Sequence, residues 1–434
     1  MTPTAHAMFG SDTRVRISGN VRNFEVKELY ELGEMPPTGV VPAKMHASLI
    51  RRERFGPPAQ AFQAEVVDVP PVGRGQVLIY VMAAGINYNN VWAALGQPVD
   101  VIGARQRRGE KEDFHIGGSD CSGIVWAVGD GVHNVKVGEH VVVSPGVWDE
   151  TAQDIRLGVD PTASDSTLAW GYETNYGSFA QFTVVRDFQC VPKPERLSWE
   201  EAAAYILSGA TAYRQLTGWQ PNVVRPGDPI LIWGGSGGLG SMAIQIAKVF
   251  GGVPIAVASS DERADYCLKL GAHGVIDRNE FTHWGRLPDI GDPQAFGQWL
   301  HEVKRFGKQF WEKLGERRAP KIVFEHVGQN TIPTSIYLCD NAGMVVLCGG
   351  TTGYHGDVDL RFLWMRQKRL QGSHGFNLRQ CHELTQLVAK GDVDPCLNYT
   401  GDFADIGKVH QMMHDNVHPS GNMAVRVNAS ADGR

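Results

Sequence analysis

The segment Trp233-Gly234-Gly235-Ser236-Gly237-Gly238-Leu239-Gly240 carries the densest chemical signal in this chain. Glycines at 235, 237 and 240 make a GxGxxG pattern, which has meaning only between a strand and a helix. An apolar run at 229–233 precedes it and a helical run at 241–250 follows it. In that setting the glycines allow a tight turn, backbone N–H groups approach a pyrophosphate, and the helix N-terminus stabilises the anion. Gly235, Ser236, Gly237, Gly238, Leu239 and Gly240 are therefore candidate dinucleotide ligands. An NAD enzyme places an acid at the end of the next strand, to hold the ribose 2′-hydroxyl. Here that end reads Ser259-Ser260-Asp261-Glu262-Arg263. Ser259, Ser260 and Arg263 suit a 2′-phosphate and favour NADPH. Asp261 is the opposing residue, since a small loop shift would bring it to the ribose.

The elements that must position this loop come in two rhythms. From about residue 45 to 204, short apolar runs such as 76–81, 123–128 and 139–143 are broken by Gly, Pro and Asp, which predicts an irregular, mostly β domain. Residues 99–113, rich in Arg and Lys, read as a solvated loop. From about 205 strands and helices alternate: strands at 229–233, 254–258, 275–277, 322–325 and 344–347, with helices at 241–250 and 262–270. That alternation predicts an α/β, doubly wound parallel sheet. Residues 278–320 exceed an ordinary connection and carry helical spacing, so they read as a helical insertion. The expected division is an N-terminal extension at 1–44, whose first ~25 residues read as a loose tail, a catalytic domain at 45–204 and 378–434, and a nucleotide domain at 205–377.

The rest of the composition narrows the class. A net charge of −6 with no basic block argues against a nucleic-acid surface. No apolar stretch of about 18 residues predicts a membrane span, and the first residues lack the pattern of a secretory signal. Seven widely spaced cysteines without a CxxC suit free, buried thiols in a reducing cytoplasm.

The two-domain order resembles the medium-chain dehydrogenase/reductase superfamily, through Gly209-Ala210-Thr211-Ala212-Tyr213 and Gly271-Ala272-His273-Gly274-Val275-Ile276-Asp277. The resemblance implies a GroES-like β domain joined to a Rossmann domain, with Thr211 on the nicotinamide side; by its residue type alone Thr211 would also serve as a helix cap. Zinc-dependent members carry Gly-His-Glu and a four-cysteine lobe. The matching stretch here is Gly117-Gly118-Ser119-Asp120 and the cysteines are dispersed, so no metal is expected.

Further words resemble the crotonyl-CoA carboxylase/reductase family: Glu31-Leu32-Gly33-Glu34-Met35-Pro36-Pro37, Ile50-Arg51-Arg52-Glu53-Arg54, Met82-Ala83-Ala84-Gly85-Ile86-Asn87-Tyr88-Asn89, Trp170-Gly171-Tyr172-Glu173-Thr174, Phe324-Glu325-His326 and Lys368-Arg369-Leu370-Gln371-Gly372-Ser373-His374. They span about 27 to 427. The resemblance implies hydride transfer from NADPH to the β-carbon of crotonyl-CoA, attack of the enolate on CO2, and release of ethylmalonyl-CoA. It also implies that Asn89, Tyr172, Glu173 and His374 hold CO2, that Arg361 lies near the CoA nucleotide, and that the chain forms a homodimer or homotetramer.

That assignment has a chemical logic. CO2 is uncharged, and its oxygens gain charge as the enolate attacks, so N–H donors suit it. Asn89 supplies an amide and His374 a ring donor. An ionised Glu173 cannot donate and is better cast as ordering a water or bracing His374. Tyr172 contributes shape. As isolated residues, Asn89 would suit a turn, His374 an interior position and Arg361 a solvated surface. This chain departs from the family in having Gly375-Phe376 after His374 instead of Phe-Ala, and Glu325-His326-Val327-Gly328 instead of Glu-His-Pro-Gly. Gly375 widens the acyl pocket or loosens the CO2 site. The alternative activity is an enoyl-CoA reductase that protonates its enolate, and the two differ in whether bicarbonate changes the product. A non-catalytic relative would bind NADPH without turnover. A quinone reductase would lack the words at 170–174 and 368–374.

Overall fold

The computed structural model describes residues 16–17, 20–21 and 26–430. The strand Gln76–Ile86 is buried along nearly its whole length, which suits its continuous apolar run. It pairs antiparallel with Cys121–Val128, Phe182–Arg186 and Asn422–Arg426. His140–Val143 and Cys190–Pro192 extend this sheet on one side and Leu397–Asp402 on the other, giving seven strands. Lys44–Arg51 forms a smaller sheet with Gln63–Asp68 and Phe114–Ile116. Residues 26–43 lie along this domain, where Trp126 Nε1 donates to the Val40 carbonyl at 2.8 Å. The loose tail expected over the first ~25 residues falls almost wholly outside the described residues.

The second block is a six-stranded parallel sheet. Its spatial order is Gly274–Asp277, Val253–Ala258, Pro229–Ile232, Ile322–Glu325, Met344–Leu347, Arg369–Gly372. That is the 3-2-1-4-5-6 order of a dinucleotide-binding fold, with the helices Gly238–Val249 and Asp261–Leu270 packed on its strands. The long connection holds the helix Pro293–Leu314, whose Trp299, Val303, Phe306, Phe310 and Leu314 are buried. Phe306, Phe310 and Leu314 share one apolar cluster with Leu231, Ile255 and Val323 of the sheet.

One expectation needs correction. The stretch 99–113 contains the helix Val101–Arg107, capped by the Asp100 side chain. Val101 and Ile102 are buried, and the fully buried Arg105 donates to Glu110 and to the Phe114 carbonyl; these partners offset part of the cost of burying its charge. The helix Leu378–Lys390, expected in the first domain, lies at the domain boundary: its Cys381, Leu384 and Val388 share a buried cluster with Ile230, Ile244 and Phe324 of the nucleotide domain and with Val142 and Val191 of the first. All seven cysteines are free thiols, and no described helix is long and apolar enough to cross a membrane.

Three histidines are removed from water. Burial pushes His115 down to about 3 and His283 and His410 down to about 4. They stay neutral when folded, while unfolded histidine titrates near ~6.5. Their contribution to stability is therefore complete above pH ~6.5 and is lost as pH falls through that value toward 4. His410 stacks on Phe62 at 4.9 Å. His410→Phe keeps an aromatic there and removes one titrating group. Its Tm is expected to fall less than that of the wild type between pH 7 and 5; equal losses would exclude His410 as a contributor.

Candidate active site

A cavity of about 860 Å3 lies between the two domains. Asn87, Tyr88, Asn89, Ser119 and Tyr172 line it from the first domain, and Thr211, the glycine loop, Ser259, Arg263 and His374 from the second. It occupies the C-terminal ends of the parallel strands, where this fold binds its ligands.

The cofactor wall follows from local geometry. The helix Gly238–Val249 begins directly on the glycine loop, with Gly237 as its N-cap. Ser236, Gly237, Gly238 and Leu239 face the cavity, whereas Gly235 and Gly240 do not. Their work is packing: a Cβ on Gly240 would sit 2.3 Å from the Gly234 carbonyl, so only glycine lets the helix close on the turn. The loop is also held from the other domain, because Gly421 N–H donates to the Ser236 carbonyl at 2.8 Å. Thr211 sits in the second turn of the helix Ile206–Thr217, facing the cavity, so it is no cap. At the end expected to take the 2′-phosphate, Arg263 Nη1 lies 3.4 Å from Ser259 Oγ and Nη2 donates to the His418 carbonyl at 3.3 Å. Ser260 instead caps the helix Asp261–Leu270, accepting from Arg263 N–H. Asp261 occupies the first turn of that helix and does not line the cavity. The donors and the cradle therefore fit a phosphorylated dinucleotide.

Sequence reasoning missed Arg278 here. It follows the strand Gly274–Asp277 and lines the same end of the cavity as Arg263. Its signal was a basic residue at a strand end, but only the sheet order puts that strand beside Val253–Ala258.

The expected CO2 residues are placed unequally: Asn89 and Tyr172 line the opposite wall, and His374 lines the cavity from the nucleotide domain. Asn89, in the helix Tyr88–Leu95, donates from Nδ2 to Ser119 Oγ at 2.8 Å. Tyr172 faces the cavity, and burial pushes its hydroxyl up to about 12, so it stays protonated. His374 follows the edge strand Arg369–Gly372 and is exposed to the cavity. Glu173 is placed differently: it does not line the cavity, and its carboxylate accepts the Ala169 N–H at 2.8 Å rather than meeting His374. Arg361 also stays away from the cavity, in an ion pair with Asp359 at 2.6 Å. Among the described residues, no group of three or more His, Cys, Asp or Glu is arranged to hold a metal ion.

Two buried carboxylates hold the cavity's framework. Glu325 accepts from Val327 N–H, Gly328 N–H, Thr331 Oγ1 and Ser335 Oγ, fixing the loop that carries His326. His326 Nε2 lies 3.0 Å from the Trp233 carbonyl, against the glycine loop. Asp120 accepts from Asn87 Nδ2 at 3.1 Å and from Leu207 N–H at 3.0 and 3.2 Å. Burial pushes its carboxyl up to about 8, while those donors pull the other way.

Residues 73–195 match the alcohol dehydrogenase GroES-like domain and residues 238–390 match the family described as zinc-binding dehydrogenase. The crotonyl-CoA carboxylase/reductase of Cereibacter sphaeroides is 47% identical over 407 residues, covering 94% of this chain and 93% of that one. The solved crotonyl-CoA carboxylase/reductase AntE, in complex with NADP, superposes with a TM-score of 0.91 at 66% identity, over 93% of this chain and 100% of that one. The 2-octenoyl-CoA carboxylase reductase CinF, solved with NADP and 2-octenoyl-CoA, has a TM-score of 0.83 at 35% identity, over 90% and 89% of the two chains.

Removal of Arg263 deletes one charge-assisted partner of a 2′-phosphate, worth about 1.5–3 kcal/mol. Arg263→Ala is expected to weaken NADPH binding roughly ten- to a hundredfold by fluorescence titration while leaving NADH binding nearly unchanged. Equal weakening of both would remove Arg263 from 2′-phosphate recognition.

Proposed function

This chain belongs to the crotonyl-CoA carboxylase/reductase family, and on that premise we propose that it catalyses NADPH-dependent reductive carboxylation of an enoyl-CoA, crotonyl-CoA plus CO2 to ethylmalonyl-CoA. The observation that carries this reading is the two-walled cavity: a dinucleotide loop with a guanidinium at its phosphate end faces the Asn89 amide and the His374 ring. NADPH supplies a hydride to the β-carbon of the bound thioester. The electron pair displaced from the double bond moves to the α-carbon as an enolate, which forms a new bond to the carbon of CO2. The charge that leaves the enolate ends on a carboxylate. Asn89 and His374 stabilise that developing charge through N–H donors, and Tyr172 closes the wall that keeps water from protonating the enolate first. Glu173 contributes through the backbone turn at Ala169 that carries Tyr172, since the Tyr172 and Glu173 N–H groups both bond the Ala169 carbonyl.

Gly375 bears on the acyl group. No atom lies within 4 Å of the position its Cβ would take, and it lines the cavity next to His374. The acyl pocket is therefore open at the point where the family commonly places an aromatic ring, and chains longer than four carbons fit the same reading. The test is product mass after incubation with NADPH, bicarbonate and carbonic anhydrase, using crotonyl-CoA and 2-octenoyl-CoA in turn. Products one carboxyl group heavier than the saturated thioesters are expected from both. Butyryl-CoA alone from crotonyl-CoA would leave a plain reductase.

The active assembly is a dimer or tetramer of this chain. Among the described residues, the strand Arg369–Gly372 is hydrogen-bonded on one side only, to Met344–Leu347. Beside this open edge Trp364, Met365 and Leu370 are exposed, with Trp364 at 62%. An open edge with apolar neighbours suits pairing with a second copy about a twofold axis. Light scattering is expected to give at least twice the 47.5 kDa chain mass; a monomer at micromolar concentration would exclude it.

A further inference from the structure

The orientation of a side-chain amide is ambiguous until its partners are known, because oxygen and nitrogen have nearly the same shape. Around Asn89 the partners remove the ambiguity in sequence. The backbone N–H of Gly118 can only donate, and it meets Asn90 Oδ1 at 3.1 Å. Asn90 must therefore turn its Nδ2 the other way, where it donates to Asn89 Oδ1 at 3.0 Å. That in turn directs Asn89 Nδ2 to Ser119 Oγ at 2.8 Å. One N–H of Asn89 is consumed by Ser119, the other is left for a further acceptor, and the residue lines the cavity.

The chain of bonds is built from buried parts. Asn90 is fully buried and Ser119 is 1% exposed. Gly117 is required for the approach, since a Cβ there would lie 2.1 Å from Asn90 Oδ1. The next residue, Asp120, accepts from Asn87, the N-cap of the helix that carries Asn89. The Gly117-Gly118-Ser119-Asp120 stretch thus holds that helix at its N-cap and at its first turn.

We propose that Ser119 and Asn90 are positioning residues that lock the Asn89 amide with one N–H presented to CO2, so that this stretch sets the partition between carboxylation and protonation of the enolate. The inference rests on the functional reading above. With the clamp intact, the donor is in place before the enolate forms, and no reorganisation competes with capture of CO2. Without it the amide rotates, its oxygen faces the growing negative charge for part of the time, and protonation gains.

Ser119→Ala removes the acceptor with little change of volume, and Ser119→Thr restores it. The measurement is the ratio of carboxylated to protonated product at sub-saturating CO2, with NADPH affinity and thermal unfolding followed alongside. Ser119→Ala is expected to lower the ratio on the order of fivefold, the effect of one neutral hydrogen bond, and to raise KM for CO2. NADPH affinity and Tm should stay near wild type, and Ser119→Thr should recover the ratio. An unchanged ratio in Ser119→Ala, beside a lowered ratio in Asn89→Ala, overturns the clamp. Absence of any carboxylated product from the wild type overturns instead the reading on which the clamp rests.

Discussion

The N–H of Leu207 meets the carboxylate of Asp120 across the boundary between the two domains, and the geometry of the cavity hangs on that bond. Leu207 opens the helix Ile206–Thr217, whose own N-cap, Tyr205, offers no side-chain cap. The first N–H groups of a helix have no partner within it. Here the acceptor comes from the other domain. Asp120 also holds Asn87, so one carboxylate ties the helix that carries Thr211 to the helix that carries Asn89. A Cβ on Gly85 would lie 2.6 Å from the Asp120 Cβ and 2.2 Å from the Ala203 carbonyl, so glycine is needed for the first domain to pack this closely around Asp120.

A second fastening sits at the glycine loop. After Gly391 the chain enters the first sheet through Leu397–Asp402 and Asn422–Arg426. On the way Gly421 bonds the Ser236 carbonyl, and a Cβ on Gly238 would meet Asn422 Oδ1 at 2.2 Å. The loop is thus held from below by its own fold and from the side by the returning chain. A rigid pyrophosphate cradle and a rigid amide wall face each other, which is the requirement for directing an enolate to a weak, uncharged electrophile before water reaches it.

How much of this was legible in the sequence depends on the distance over which each feature is determined. Five of the six parallel strands, the glycine loop and the helix after it are local patterns of apolar period and turn residues, and they lie within three residues of where the sequence puts them. The charged stretch at 99–113 was misread because composition hid the buried Val101 and Ile102, and because Arg105 is paired inside. Arg278 was invisible for another reason: its neighbour Arg263 is fifteen residues away in sequence and adjacent only through the strand order. Glu173 and Arg361 illustrate the reverse. Their types suit the roles the resemblance implies, yet their side chains are spent on the Ala169 N–H and on Asp359.

By itself the sequence determined the mostly-β domain, the parallel nucleotide-binding sheet and a phosphorylated cofactor, because hydrophobic period, glycine spacing and the Ser259–Arg263 chemistry are written within short windows. Only the tertiary structure decided which way the Asn89 amide points, where the domains are fastened and which residues reach the cavity. Those outcomes rest on single hydrogen bonds between positions about thirty to two hundred residues apart, and a donor or acceptor has no orientation until the fold supplies its partner.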